Sequence, residues 1–151
     1  MNKALFALGV GLLLAAFVVV VGVVGSDGDD GPETSGSEAA LVGPVWQWEE
    51  FLGNDDSRVV PDDPSRYTIE FAADGSVAVR ADCNRGFGTY AEAAGALTIE
   101  VSGLTRAQCE EGSLSDEYLR DLADVRTYVI EGGKLYLDVM ADVGTLRHGQ
   151  G

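Results

Sequence analysis

Histidine is nearly absent from this chain and cysteine is scarce. Its 151 residues contain one histidine, His148, and two cysteines, Cys83 and Cys109. A serine or cysteine hydrolase needs a base held beside its nucleophile, and His148 lies close to the C-terminus, where chain ends are often poorly ordered. A zinc site needs several histidine or cysteine ligands, and a thioredoxin-like redox site needs a C-x-x-C motif. We therefore expect no enzyme, no metal and no cofactor.

Basic residues are also few. Ten lysines and arginines face 25 aspartates and glutamates, which gives a formal net charge of −15. Lys3 is the only charged residue before position 26, so the remainder of the chain carries −16. Such a surface repels the phosphates of nucleic acids, and we expect no nucleic-acid partner. With so many acids, adjacent carboxylates arise by composition alone, so they do not identify the two that a glycosidase needs.

One long apolar run stands near the start. Residues 4–25, ALFALGVGLLLAAFVVVVGVVG, carry no charge, and about 20 such residues span the hydrocarbon core of a membrane as a helix. A secretory signal has a shorter apolar region before a cleavage site of small residues, and Val23-Val24-Gly25 before Ser26 matches such a site only weakly. We therefore favour residues 1–25 as a transmembrane anchor over a cleaved signal sequence, which would give a secreted protein.

Charge around this run predicts its orientation. Lys3 precedes the run, and Asp27, Asp29, Asp30 and Glu33 follow it. Positive charge is retained in the cytoplasm, so we expect a single-pass protein of the cell membrane whose C-terminal domain is extracytoplasmic.

Composition changes twice after the apolar run. Residues 26–40, SDGDDGPETSGSEAA, hold no large apolar side chain and cannot bury enough surface to offset their ordering entropy. They are predicted to be a flexible acidic linker. Residues 41–151 are long enough for a single core and are expected to form one domain.

The pattern of this domain is mainly β. Residues 67–71 and 76–81 alternate with period two around Asp74-Gly75, a hairpin turn signal. Leu114, Tyr118 and Leu122 recur at helical spacing. These patterns predict an α+β fold, a single curved antiparallel sheet forming a partial barrel with one packed helix, after the N-terminal transmembrane segment. The expected core is Trp46, Ile69, Phe71, Leu97, Ile99, Leu119, Leu122, Ile130, Leu135 and Leu137.

Two short segments carry a family resemblance. They are Ala81-Asp82-Cys83-Asn84-Arg85-Gly86-Phe87-Gly88-Thr89-Tyr90 and Thr105-Arg106-Ala107-Gln108-Cys109. With the Trp46 strand and the helix before the last hairpin, they resemble the META domain family (HslJ-like) over residues 41–151. Many members have Gly-Cys-Asn and Met-Ala-Cys where this chain has Asp82 and Ala107-Gln108. The resemblance implies an envelope protein with an association to stress, and it says little about activity.

The cysteines are predicted to form a disulfide. An exported domain lies where disulfides persist, and a Cys83–Cys109 bridge would close a 27-residue loop, worth roughly 3–4 kcal/mol in the chain-entropy model. Two buried free thiols and a redox pair are the alternatives. The neighbouring Asn84-Arg85-Gly86 is typical of a tight turn. Its functional alternative is a small-anion or ligand site formed by Arg85 and Arg106, with Asn84 beside them.

Two functions from different classes remain. The favoured one is a membrane-tethered extracytoplasmic META domain, non-enzymatic, that binds another envelope protein or supports stress tolerance. The alternative is a ligand-binding or inhibitor module in which an exposed loop such as residues 53–65 docks into an envelope partner.

Overall fold

The structure, a computed structural model, describes residues 40–151. The predicted anchor at residues 1–25, and all but the last residue of the predicted linker, lie outside the described residues. Within residues 40–151, no helix is both long and apolar enough to cross a membrane.

Nine strands and a helix between the sixth and seventh form the body of the described chain. The Asp74-Gly75 hairpin is present: Gly75 has a φ of 84°, which glycine adopts without steric cost, and the Asp74 carboxylate accepts a hydrogen bond from Ser76 N at 2.9 Å. The elements are β1 (Val45–Gly53), β2 (Arg58–Val59), β3 (Tyr67–Phe71), β4 (Ser76–Ala81), β5 (Asn84–Ala93), β6 (Ala96–Leu104), α1 (Ser115–Ala123), β7 (Val125–Glu131), β8 (Lys134–Val139) and β9 (Gly144–Gln150).

The expected partial barrel is wrong, because the sheet closes on itself. The strands run in the order β1-β3-β4-β5-β6-β7-β8-β9, and β9 pairs back onto β1, while β2 is attached to the end of β1. The register of β1 shifts between Trp48 and Glu50. Such a bulge bends a strand and increases its twist, which helps β1 pair with β3 through residues 45–47 and with β9 through residues 46–53. The result is a closed antiparallel barrel of eight strands.

The barrel has one thin place in its wall, between β6 and β7. These strands pair only at Ala96–Thr127. Since β7 begins at Val125, the chain before it is helix α1, and α1 lies beside the rest of β6. Leu119 and Ala123 of α1 line a groove together with residues of β6. The helix therefore stands where a longer β7 would otherwise complete the ladder.

Aromatic side chains fill the barrel interior. Trp48 stacks on Tyr118 of α1, with ring centroids 5.0 Å apart, and Tyr67 meets both rings edge-on. Leu119 and Ile130, expected in the core, are only partly buried at its margin. The fully buried large side chains are Trp46, Trp48, Tyr118, Phe71, Leu41, Ile69, Leu97, Leu122, Leu135, Leu137, Leu146 and His148.

Candidate functional site: the disulfide loop and its two surfaces

A disulfide ties the loop between β6 and α1 to the β4–β5 turn. Cys83 and Cys109 are bonded, with α-carbons 5.5 Å apart. We call residues 105–114 the disulfide loop. The tight turn lies at Asp82-Cys83, where Asp82 has a φ of 58°, and not at Asn84-Arg85-Gly86, which opens β5. The turn was predicted two residues after its true position. Asparagine and glycine are common in turns, but here they begin a strand that approaches its neighbour closely.

Asn84 holds the disulfide loop in place. Its Oδ1 accepts hydrogen bonds from Ala107 N at 2.8 Å and Thr105 Oγ1 at 3.1 Å. Its Nδ2 donates to Ala107 O at 3.2 Å and to Ser115 Oγ at 3.4 Å. The side-chain amide thus pairs with the backbone of Ala107 as a strand residue would. Asn84 is buried and its side-chain amide holds the loop; it also borders a depression lined by residues of the disulfide loop and α1.

Arg85 and Arg106 both lie on the exposed surface beside the bridge. In the described part of the chain, neither guanidinium makes a hydrogen bond or an ion pair. They line two different depressions, Arg85 with Phe87 and Arg106 with residues of β6 and α1, and Leu104 borders both. The structure therefore does not bring the two arginines into one pocket for a small anion.

A polar cleft of about 430 Å³ lies on the other side of the disulfide loop, against residues 58–66. Tyr67 accepts a hydrogen bond from Leu114 N at 3.0 Å, which fixes the loop at the cleft. Part of the predicted docking loop, residues 53–65, forms one wall.

The charges of this cleft are unequally paired. Arg66 pairs with Asp82, and Arg58 pairs with Glu50; both carboxylates are buried. The remaining charged residues that line the cleft are acids, and Asp63 among them has its pKa lowered by hydrogen bonds from Ser65. The open part of the cleft is therefore negative; these acids are Asp62, Asp63, Glu110 and Glu111.

His148 lies in the core, which corrects its expected place at a disordered chain end. It belongs to β9, the strand that closes the barrel, and is fully buried. Its Nε2 lies 3.0 Å from the hydroxyl of Tyr118. Burial lowers the pKa of His148 to about 3 and raises the pKa of Tyr118 well above its ordinary value. Histidine is therefore neutral and structural here, and no sequence pattern marked β9 as the closing strand.

Comparison with known proteins agrees with this fold. An NMR structure of a protein from Burkholderia xenovorans has a TM-score of 0.62 and 19% identity, covering 75% of this chain and 85% of that chain. A crystal structure of a DUF4847 family protein from Bacteroides vulgatus has a TM-score of 0.57 and 16% identity, covering 77% of this chain and 98% of that chain. At these identities the likeness shows the fold alone.

Sequence comparison identifies the family. No curated protein matches the chain. The family model described as META domain matches residues 39–148. Since that match spans nearly all of the described residues, this chain belongs to the META domain family.

Proposed function

We propose that this chain is a non-enzymatic META domain protein that is tethered to the cell membrane by residues 1–25. Its domain lies outside the cytoplasm, where it binds another envelope component and supports envelope maintenance or stress tolerance. The apolar run and its flanking charges support the tether. The family supports the association with stress.

The observation that carries the non-enzymatic part is the placement of the reactive side chains. His148 is sealed in the core with a pKa of about 3, and Cys83 and Cys109 are bonded to each other. A base or a nucleophile must reach the substrate, and none of these three groups is available for that role.

A second candidate function is the ligand-binding or inhibitor module. The cleft against residues 58–66 favours it, because a loop from the predicted docking segment and the disulfide loop form its two walls. The disulfide and Asn84 hold the second wall, so the cleft is ordered before a partner arrives, which lowers the entropic cost of binding.

The test of a binding function uses the full-length chain, tagged and cross-linked in its native membranes. Val60 lines the cleft and is 51% exposed, and Val129 on β7 is 53% exposed. We expect one cross-linked envelope protein with the wild type and with Val129→Asp, and loss of that product with Val60→Asp. Equal recovery with all three chains would contradict binding at the cleft. Absence of a product together with normal stress resistance of a deletion strain would contradict the proposal as a whole.

The tether has its own test. A reporter fused after residue 40 should be active only outside the cytoplasm, and protease added to intact spheroplasts should release the domain. Protection of the domain from that protease, or a mature N-terminus at Ser26, would contradict the orientation or the anchor respectively.

A further inference from the structure

The thin place between β6 and β7 leaves part of a strand edge without a partner. Tyr128 N donates to Gly95 O at this thin place at 3.0 Å, and Ala96 pairs with Thr127. In the antiparallel register set by this pair, Val125 lies opposite Thr98. Since β7 begins at Val125, it cannot reach β6 beyond that point.

The backbone groups at this edge can be assigned from the ladder. In an antiparallel strand, successive residues direct their N–H and C=O groups to opposite edges. The carbonyl of Gly95 points toward β7, so the N–H and C=O groups of Leu97, Ile99 and Val101 point toward the same edge of β6. In the described chain, no hydrogen bond reaches Ile99 or Val101 from the side of α1. We call residues 99–104 the free edge of β6.

The free edge borders an open groove of about 810 Å³ against α1. Its apolar lining includes Val101 and Leu104 of β6 and Leu119 of α1, and the next depression adds Phe87, which is 69% exposed. A strand edge flanked by apolar surface is the arrangement to which an extended peptide adds a strand: the backbone gives affinity, and pockets for alternate side chains give specificity.

The charge at the free edge is opposite in sign to the net charge of the chain. Arg85 and Arg106 flank it with guanidinium groups that no carboxylate of the described residues neutralises, and Glu100 is the one acid among the lining residues. In a chain with a net charge of −15, this makes the free edge locally positive. An occupant with carboxylates is therefore complementary here.

We propose that the free edge of β6 binds an extended segment of another protein in which apolar and acidic residues alternate. The segment pairs its backbone with Ile99 and Val101. Its apolar side chains enter the groove against α1, and its carboxylates meet Arg106 and Arg85. This surface is distinct from the cleft against residues 58–66, so the two can be tested separately.

The experiment measures fluorescence anisotropy with the full-length chain in detergent micelles. The probe is a labelled decapeptide of alternating valine and glutamate, and the matched probe has lysine in place of each glutamate. We expect saturable binding of the acidic peptide and weaker binding of the basic one. The net charge of the chain favours the basic peptide, so the opposite preference must come from the local arginines. A preference for the basic peptide would overturn the proposal.

Charge variants locate the binding site. Arg106→Glu and Arg85→Glu should each weaken binding of the acidic peptide by about tenfold. Arg120→Glu is the matched control, since Arg120 is on α1, is 66% exposed and does not line the groove; it should leave binding unchanged. Equal effects at Arg106 and Arg120 would exclude the free edge as the site.

N-methylated peptides test the pairing itself without altering the protein. A strand that adds to an edge bonds through alternate residues, so methylation of one alternate set of peptide nitrogens should abolish binding while methylation of the other set should not. Equal effects of the two sets would exclude strand addition. Sedimentation velocity supplies the remaining outcome: a dimer whose formation excludes the peptide would mean that the occupant is a second copy of this chain, and would overturn the proposal.

Discussion

The two seams of the barrel are built differently. Between β1 and β9 the ladder runs from Trp46 to Gly53 and closes over the tryptophans, whereas between β6 and β7 it is confined to Ala96–Thr127 and α1 fills the place of the missing strand. We call these the closed seam and the open seam. Arg106 of the disulfide loop and the exposed Phe87 border the open seam. The closed seam thus carries much of the buried aromatic core, while the open seam gathers the exposed apolar and basic side chains of the proposed peptide site.

The largest expected effect is at the closed seam. Trp48 is fully buried on β1 and stacks on Tyr118, so Trp48→Ala should lower the free energy of unfolding by about 3–5 kcal/mol. Val45→Ala on the same strand is the control, because Val45 is 39% exposed and surface changes stay within about 0.5 kcal/mol. Denaturant unfolding followed by circular dichroism measures the free energy of unfolding of both variants. Similar losses would mean that the buried side chain at the closed seam contributes no more to stability than an exposed one.

The helix at the open seam should matter nearly as much, because it replaces a strand. Leu122 is fully buried, and Leu122→Ala should cost about 2–5 kcal/mol. Leu104→Ala on the free edge is the matched control and should cost far less, since Leu104 is 39% exposed. A loss below about 0.5 kcal/mol at Leu122 would mean that α1 contributes little to closing the barrel.

Acid should weaken the closed seam through His148. Its pKa is about 3 in the fold against an ordinary 6.5, so the unfolded chain binds the proton more readily. The stability that neutral His148 contributes is complete above pH 6.5 and is lost as the pH falls toward 3, by about 3 kcal/mol between pH 6.5 and pH 4. Unfolding free energies measured against pH should show this slope in the wild type and a flatter one in His148→Phe. Equal slopes would contradict a buried, neutral histidine.

Removal of the disulfide should destabilise the disulfide loop more than the closed seam. Cys83→Ala with Cys109→Ala should lower stability by about 3 kcal/mol and increase hydrogen exchange in residues 105–114, while exchange along β9 changes little. Exchange should rise only moderately at Ala107, since the Asn84 amide still pairs with it. Alkylation of both cysteines in native, unreduced protein would show instead that the bridge does not form.

The smallest expected effects come from two glycines, one at each seam. A Cβ at Gly144 would meet Leu52 O and the Phe51 ring, whereas a Cβ at Gly103 would meet only the exposed ring of Phe87 within the same close range. Overpacking against backbone costs about 1–3 kcal/mol, so Gly144→Ala should destabilise, while Gly103→Ala should stay within about 0.5 kcal/mol because Phe87 can turn away. A reversed order of the two losses would contradict the assignment of the seams.

Local patterns predicted the elements but not the closure. The hairpin at Asp74-Gly75 and the helix through Tyr118 and Leu122 follow from spacing within a few residues. Barrel closure joins β1 to β9 across nearly the whole domain, and no local period encodes that pairing. For the same reason, His148 looked like a terminal residue although it occupies the core.

At the candidate site, too, some features could be predicted from the sequence and others depend on tertiary structure. The predicted compartment and the cysteine count led to the prediction of the Cys83–Cys109 bridge, which is present, because both were inferred from the sequence alone. The roles of Asn84 and of the two arginines depend on where the disulfide loop returns to β5, which is a tertiary fact. The favoured interpretation of Asn84-Arg85-Gly86 was structural, and Asn84 has such a role in the fold. The alternative, an anion site shared by Arg85 and Arg106, is not favoured by the structure, because the two arginines line separate depressions.

The position of the tryptophans decides what optical spectroscopy can detect in this protein. The chain has two tryptophans, Trp46 and Trp48, and both are buried on β1 at the closed seam. Intrinsic fluorescence is therefore a local signal that reports the separation of β1 from β9. Because Trp48 also stacks on Tyr118 of α1, the emission responds to a displacement of that helix as well, so a second probe on β9 is needed to distinguish opening of the closed seam from movement of α1.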